Sequence, residues 1–305
     1  MPAALLKRQD SRIEEPMIID IHTHIFPKDI CAHRENYFPG EPEFRLLYDS
    51  PKSRLVGASE LISCMDAQGI DKSVVFGFPW NRFETAQFQN DYILEMVQAH
   101  PDRLIGFCCL NPLHPSASKE VDRCIQGGLK GVGELAFYQS GIDEPVLTAL
   151  SPVMSLCAEH RLPVLIHTNE PIGHMYPGKA PMTLAEIYRM VRRFPHNVII
   201  LAHWGGGLPF YHLLKKEVKE AIKNVYVDTA ASPFLYDHAI YPVAAAAFGQ
   251  DKILLGSDFP LLKPLRYVDE MKKAGLPDDQ IQAICGENAA RLLLHPPLIR
   301  EQKHS

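Results

Sequence analysis

Two histidines stand one residue apart at the end of an apolar stretch near the start of the chain. Residues 17–21 read Met-Ile-Ile-Asp-Ile, and His22 and His24 follow. On a strand, side chains two positions apart leave the same face, so both imidazoles would point to one place. Two neutral imidazoles aimed at one point are part of a transition-metal site, although a chance pair on a surface strand is the alternative.

Other residues of metal-ligand type end later apolar runs in the same way. Each follows a short stretch of buried character: Glu134, His167, His203 and Asp258. A lone histidine after one strand is more often a packed core residue. Together with the first pair, these make six ligand-type residues at the ends of five runs. They predict a site only if the fold brings those ends together.

The elements that would position these residues alternate along the chain. The eight apolar runs cover 17–24, 73–79, 104–111, 129–137, 163–168, 198–204, 225–229 and 253–258. Amphipathic stretches of helical period lie between them, at 58–68, 86–99, 117–126, 145–159, 184–194 and 209–223. Continuous apolar strands, each followed by a helix, indicate a parallel sheet that is covered on both faces.

Eight such units in 305 residues predict a single α/β domain, a (β/α)8 TIM barrel. An open doubly wound sheet is the alternative, but no glycine-rich dinucleotide loop follows the first strand. We place the barrel at 17–295, with tails at 1–16 and 296–305. The loops at 27–56 and 169–182 exceed the usual length and follow strands. We expect them to be lids or binding loops over the site, with dimer contacts or excursions without a role as the alternatives.

Convergence of these residues at the carboxyl ends of the barrel strands would make a metal site. Four imidazoles and two carboxylates in an apolar barrel mouth would be costly to bury without a cation. Nitrogen and oxygen donors favour one or two divalent ions, most simply zinc, with manganese, iron or cobalt as alternatives.

Composition excludes several other classes of protein. Hydrophobic residues make up 46% and charged residues 22% of the chain, which is ordinary for a globular protein. The net charge of −5 argues against a nucleic-acid surface. No run is long enough to span a membrane and no signal peptide is evident. Seven cysteines without a Cys-x-x-Cys pair fit a reducing, cytoplasmic setting better than disulfides.

The order of these residues resembles the metal-dependent amidohydrolase superfamily. The motifs Ile-Asp-Ile-His-Thr-His, Ala-His-Trp-Gly-Gly-Gly, Gly-Ser-Asp-Phe-Pro and Gly-Glu-Asn-Ala-Ala-Arg-Leu-Leu are similar to the amidohydrolase-related (amidohydrolase 2) branch. That branch includes aminocarboxymuconate-semialdehyde decarboxylases and resorcylate-type decarboxylases beside many hydrolases. The resemblance covers nearly the whole chain after residue 16, and it favours a homodimer.

The resemblance implies roles for individual residues. It makes His22, His24 and His167 metal ligands, and His203 a ligand or a proton-transfer group. It makes Asp258 a ligand that also orients or deprotonates water. Glu134 departs from the decarboxylase pattern: a carboxylate there resembles hydrolases in which it bridges two metals, or it is a partner for an imidazole N–H.

This departure favours a hydrolase as the first hypothesis. Water activated by the metal would attack an ester, lactone or amide of a small organic acid, with Asp258 and His203 as catalytic groups. A non-oxidative decarboxylase or hydratase is the alternative, and a metal-binding barrel without catalysis is the third.

Aromatic residues after the strand ends predict the walls of the substrate site. We expect Phe26, Trp80, Tyr138 and Trp204 to surround the mouth, which suits a planar or ring-shaped small molecule. Arg82 follows Trp80 closely and would hold a substrate carboxylate with two hydrogen bonds, although a solvated surface position is equally consistent with the sequence.

Overall fold

Eight parallel strands form the inner layer of the protein. A computed structural model of the chain describes residues 17–294, so the predicted tails at 1–16 and 296–305 and the barrel end at 295 lie outside the described residues. The strands are β1 (Ile19–His24), β2 (Lys72–Phe76), β3 (Leu104–Gly106), β4 (Val132–Leu135), β5 (Val164–Ile166), β6 (Ile199–Leu201), β7 (Val225–Asp228) and β8 (Ile253–Leu254).

The strands pair in chain order, as a barrel requires. β1 to β3 and β4 to β8 are continuous parallel sheets. Backbone hydrogen bonds between Cys108 and the segment of Gly131 and Gly133 join β3 to β4, at 2.9 and 2.8 Å. Ile21 N–H and His24 N–H donate to Leu255 O and Phe259 O at 2.8 Å, which joins β8 to β1. The expected (β/α)8 TIM barrel is confirmed.

Helices cover the outside of the strands. The α-helices are α1 (Lys28–Ala32), α2 (Pro42–Tyr48), α3 (Ala58–Gln68), α4 (Phe83–Ala99), α5 (Ala117–Gln126), α6 (Glu144–His160), α7 (Leu184–Arg193), α8 (Lys216–Ala221), α9 (Ser232–Leu235), α10 (Ile240–Phe248), α11 (Leu265–Lys273), α12 (Asp278–Gln282) and α13 (Asn288–Leu293). Tighter 3-10 turns lie at Arg34–Tyr37 and Gln250–Lys252, and a wider π turn lies at Ala283–Glu287.

Strand residues alternate between two buried layers, because successive side chains of a strand leave opposite faces. Val74, Leu165 and Ile200 belong to a cluster made mainly of strand residues. Their sequence neighbours, such as Val164 and Ile166, pack into a larger cluster with the outer helices. Both faces are therefore buried, which explains why the strands read as continuous apolar runs.

One predicted helix is wrong in part. The stretch 209–223 begins as tight turns within His203–Leu213 and becomes helical only at α8. The φ angles from His203 to Gly207 are all positive, between 55° and 96°. This left-handed turn is strained for His203 and Trp204 and suits the three glycines. A Cβ on Gly206 would lie 2.6 Å from Asn169 O, so only glycine fits there.

None of the helices within residues 17–294 combines the length and apolar character needed to cross a bilayer.

Candidate metal centre

The ends of five strands bring the six ligand-type residues together. His22 and His24 come from β1, Glu134 from β4, and His167, His203 and Asp258 from the turns after β5, β6 and β8. Donor atoms of these residues form three overlapping groups in which all atoms lie within 4.8 Å of one another. The placement predicted for all six residues agrees with the structure; metal binding by them stays a prediction.

Each of the four histidines has one ring nitrogen held by an acceptor outside the cluster. His22 Nδ1 lies 2.8 Å from Asp228 Oδ2, and His24 Nδ1 lies 2.9 Å from Gly77 O. His203 Nδ1 lies 3.1 Å from Ala230 O, and His167 Nε2 lies 2.8 Å from Gly178 O. Carbonyl and carboxylate oxygens accept, so these nitrogens donate. The other nitrogen of each ring faces inward, where it offers a lone pair when the ring is neutral and donates to a carboxylate when the ring is protonated.

The inward atoms are spaced as ligands of a common ion are spaced. His22 Nε2 and His24 Nε2 lie 3.6 and 3.4 Å from Asp258 Oδ1. They lie 3.7 and 3.8 Å from Glu134 Oε2. Ligands at about 2.0–2.2 Å from one ion are separated by distances of this order.

Glu134 stands between two pairs of histidines. Its Oε2 faces His22 and His24, while its Oε1 lies 3.0 Å from His167 Nδ1 and 3.6 Å from His203 Nε2. Glu134 is therefore placed both to accept from an imidazole and to share an ion with each pair. The two roles that the sequence left open for Glu134 are both compatible with this geometry.

An orphaned nitrogen tests whether these residues fit a metal. His22 Nε2 is buried and has no hydrogen-bond partner within residues 17–294, although a buried polar atom without a partner is costly. A divalent cation bound among the inward atoms would satisfy it. The donor set and this orphaned atom fit a divalent metal ion.

The electrostatics of the cluster favour a cation as well. Burial opposes charging the His22 imidazole, but Glu134 and Asp228 outweigh burial and raise the pKa of His22 to about 10. Burial also lowers the pKa of His203, and Glu134 outweighs it so that the net shift is upward. Burial raises the pKa of Asp258, yet the hydrogen bond from His24 and the charges of His22 and His203 lower it overall. The carboxylates thus stabilise positive charge wherever it sits in the cluster.

Asp228 is a residue that the sequence interpretation missed. It ends β7, is fully buried, and its Oδ2 accepts from His22 Nδ1 while its Oδ1 accepts from His203 N–H at 2.8 Å. The signal was present, because the run Val-Tyr-Val-Asp also ends in a carboxylate. Asp228 orients two of the ligand-type histidines rather than joining them.

A cavity of about 800 Å³ opens above the cluster. Both long loops contribute to its walls, through Tyr48 and Arg54 on one side and His174 and Tyr176 on the other. Phe78 and Tyr138 add aromatic surface, and His24, Glu134, His167, His203 and Asp258 line its floor. The two loops therefore border the site, and their role as lids or as dimer contacts stays a prediction.

Of the five residues that the sequence predicted to line the substrate site, the structure places four outside the cavity and one in its wall. Phe26, Trp80 and Trp204 are buried in the core and do not line the cavity. Phe26 and Trp80 pack against Phe44 of α2, and Trp204 packs against Tyr241 of α10. Arg82 is exposed at the start of α4, outside the cavity, with its N–H bound to Glu41. Tyr138 does line the cavity, and the arginine among the lining residues is Arg54.

Comparisons with known proteins agree with this architecture. A 2-amino-3-carboxymuconate-6-semialdehyde decarboxylase from Dictyostelium discoideum is 24% identical to this chain over 313 aligned residues. The alignment covers 84% of this chain and 86% of that protein. The crystal structure of 5-carboxyvanillate decarboxylase from Sphingomonas paucimobilis superposes with a TM-score of 0.71 at 20% identity, covering 92% of this chain and 99% of that one.

A third similar protein carries a metal. The dihydroxybenzoic acid decarboxylase from Polaromonas, solved with bound manganese and the inhibitor 2-nitroresorcinol, has a TM-score of 0.67 at 19% identity, covering 93% of this chain and 98% of that one. These named proteins are decarboxylases. They support the decarboxylase hypothesis, which we placed second from the sequence, better than the hydrolase hypothesis, which we placed first. The family model described as Amidohydrolase matches residues 19–294, and the chain therefore belongs to the amidohydrolase family.

Proposed function

We propose that the protein is a metal-dependent, non-oxidative decarboxylase of a small planar carboxylic acid. The observation that carries this proposal is the set of four histidines whose outer nitrogens are held and whose inner nitrogens meet two carboxylates on the floor of the cavity. The names of the similar proteins support decarboxylation over other reactions of such a site.

The residues that would hold the ion are His22, His24, Glu134 and Asp258, with His167 next to Glu134. When bound, a divalent ion supplies a positive charge that holds the substrate's oxygen atoms and withdraws electrons from the bond to be broken. Zinc and manganese both suit nitrogen and oxygen donors, and we propose one of these.

The chain's own residues would supply the proton. Decarboxylation breaks the bond between carbon and the carboxylate, releases CO2 and leaves the electron pair on the substrate carbon, which then takes one proton. His203 Nε2 faces the cavity floor while its Nδ1 donates to Ala230 O. Burial lowers the pKa of His203, but Glu134 outweighs burial and raises it, which favours His203 as the group that holds this proton.

The walls would select the substrate. Tyr48, Phe78 and Tyr138 offer aromatic surface for a planar ring, and Arg54 at the rim would bind a second anionic group. The similar proteins act on hydroxylated benzoates and on an unsaturated carboxylated semialdehyde. We therefore infer an aromatic or conjugated carboxylic acid as substrate.

Hydrolysis is the second candidate, and one observation favours it. The two oxygens of Glu134 face separate pairs of histidines, which suits two ions and an activated water. A metal count of two per chain would raise this candidate above the first.

A product assay separates the two reactions. Protein loaded with Mn²⁺ or Zn²⁺ is incubated with hydroxybenzoic and conjugated dicarboxylic acids, and with matched esters and lactones. We expect CO2 release from the acids and no incorporation of ¹⁸O from labelled water into the organic product. Labelled product from the esters or lactones, without CO2, would establish hydrolysis and refute our proposal.

A further inference from the structure

The loop at 169–182 holds a buried lysine among exposed residues. Ile172 and Met175 are 82% and 75% exposed, yet the side chain of Lys179 is only 6% exposed. A lysine ammonium is costly to bury unless its charge and its protons find partners. Its environment therefore shows what the ammonium contributes to the loop.

All three protons of that ammonium have acceptors within the loop. Lys179 Nζ lies 2.8 Å from Glu170 Oε1, 3.0 Å from Ile172 O and 3.3 Å from His174 O. An ammonium has three donors, so its capacity is fully used. The other oxygen of Glu170 accepts from Tyr176 O–H at 2.8 Å. The ammonium thus connects the first and last parts of the loop.

The base of the loop is closed independently. Ala180 N–H donates to Asn169 Oδ1 at 2.7 Å, and Asn169 Nδ2 donates to Ala180 O at 3.2 Å. Lys179 and Ala180 directly follow Gly178, whose backbone φ is +98°, and Lys179 N–H donates across it to Tyr176 O at 3.1 Å. The bonds of Lys179 and Ala180 therefore fix the orientation of the Gly178 carbonyl.

That carbonyl is the acceptor for a histidine of the metal centre. His167 Nε2 lies 2.8 Å from Gly178 O, which leaves His167 Nδ1 facing Glu134 Oε1 at 3.0 Å. The outer nitrogens of His24, His203 and His167 all donate to backbone carbonyls, but Gly77 and Ala230 lie within two residues of the end of a barrel strand. Gly178 alone among these three carbonyls belongs to a long loop.

We propose that Lys179 is a positioning residue for His167. Its ion pair with Glu170 and its bonds to two loop carbonyls fix the loop, so that Gly178 O holds the imidazole with Nδ1 toward Glu134. The link to metal affinity rests on the proposed function, because it requires that a metal binds at this cluster. The link to the His167 ring itself does not.

The test compares Lys179→Met and Glu170→Gln with the control Lys119→Met, which removes an exposed lysine from α5. Hydrogen exchange of residues 169–182 and NMR of the His167 ring nitrogens are measured on metal-free protein. The Zn²⁺ dissociation constant is measured by competition with a chelator. We expect Lys179→Met to increase loop exchange and to weaken Zn²⁺ binding, each by about tenfold, and to redistribute the proton on His167.

Glu170→Gln should show smaller changes of the same sign, and it keeps the test available if Lys179→Met folds poorly. Loop exchange that is unchanged in both variants would overturn the proposal. A loosened loop with an unchanged His167 ring signal would also overturn it. If wild-type protein binds no divalent metal, the proposed function fails, while the His167 signal still decides the positioning role.

Discussion

Each ligand-type histidine uses one ring nitrogen on an outer acceptor, and the acceptors differ in kind. Three are backbone carbonyls and one is the Asp228 carboxylate, which contacts both His22 and the N–H of His203. A carboxylate partner makes the imidazole a better donor to a metal and fixes its orientation. The chemistry of the site therefore depends on residues that never touch substrate.

We expect Asp228→Asn to weaken metal binding by about 10- to 100-fold. The amide can accept from only one of its two positions, so His22 Nδ1 or the N–H of His203 loses its partner. Chelator competition measures the affinity, with the exposed Asp251→Asn as the matched control. Equal affinities in the two variants would show that Asp228 does not position the ligands.

Asp258→Asn should keep the fold and most of the metal but lose turnover. The amide oxygen of asparagine still coordinates, but it lacks the negative charge that favours the protonated form of His203, the proposed proton donor. We expect kcat to fall by about 10²- to 10⁴-fold, measured on protein whose metal content is determined in the same sample. Activity near the wild-type level would show that proton transfer does not depend on the charge of Asp258.

The two arginines that bear on substrate recognition provide a matched pair. Arg54 lines the cavity and Arg82 does not. Loss of one charge-assisted hydrogen bond costs about 1.5–3 kcal/mol, so Arg54→Met should raise KM by roughly 10- to 100-fold with little change in kcat. Arg82→Met should leave both constants unchanged. The reverse pattern would restore Arg82 to the site.

At the scale of elements, a buried carboxylate ties α4 to α5. Glu120 accepts from Asn90 at 3.0 Å, from Gln87 at 3.2 Å and from Arg123 at 2.7 and 2.8 Å. Burial raises the pKa of Glu120, but the hydrogen bonds from Arg123 and Asn90 outweigh burial and lower it. The ionised carboxylate therefore stabilises the packing of these two helices on the barrel.

Glu120→Gln should reduce the free energy of unfolding by about 1–3 kcal/mol near neutral pH. Because the folded pKa of Glu120 is depressed, its contribution is complete above the unfolded pKa of about 4.3 and is lost as the pH falls through the folded value. Urea unfolding at several pH values measures the gap in the free energy of unfolding between wild type and variant. A gap that does not narrow on acidification would contradict this assignment.

At the scale of the whole molecule, bound metal would stabilise the fold. Free metal at 100 times its dissociation constant adds about 2.7 kcal/mol, which corresponds to roughly 4 °C in Tm for a chain of 305 residues. We expect a chelator to lower Tm by this amount. The difference should shrink as the pH falls, because protons compete for the imidazoles. An identical Tm with and without chelator would contradict a metal centre.

The barrel brings together residues that are distant in sequence, and this is what the strand pattern could anticipate. Eight apolar runs with ligand-type residues at their ends sufficed to predict the barrel and the positions of His22, His24, Glu134, His167, His203 and Asp258. That inference succeeds because the carboxyl ends of parallel strands meet at one end of a barrel whatever the loops do.

The walls of the cavity were decided only by the tertiary structure. Position after a strand did not distinguish Phe26 and Trp80, which pack into the core, from Tyr138, which faces the cavity. The same holds for Arg54 and for the loop lysine Lys179. Strand periodicity fixes the side of the sheet on which a residue lies, whereas loop side chains are oriented by contacts between segments far apart in sequence.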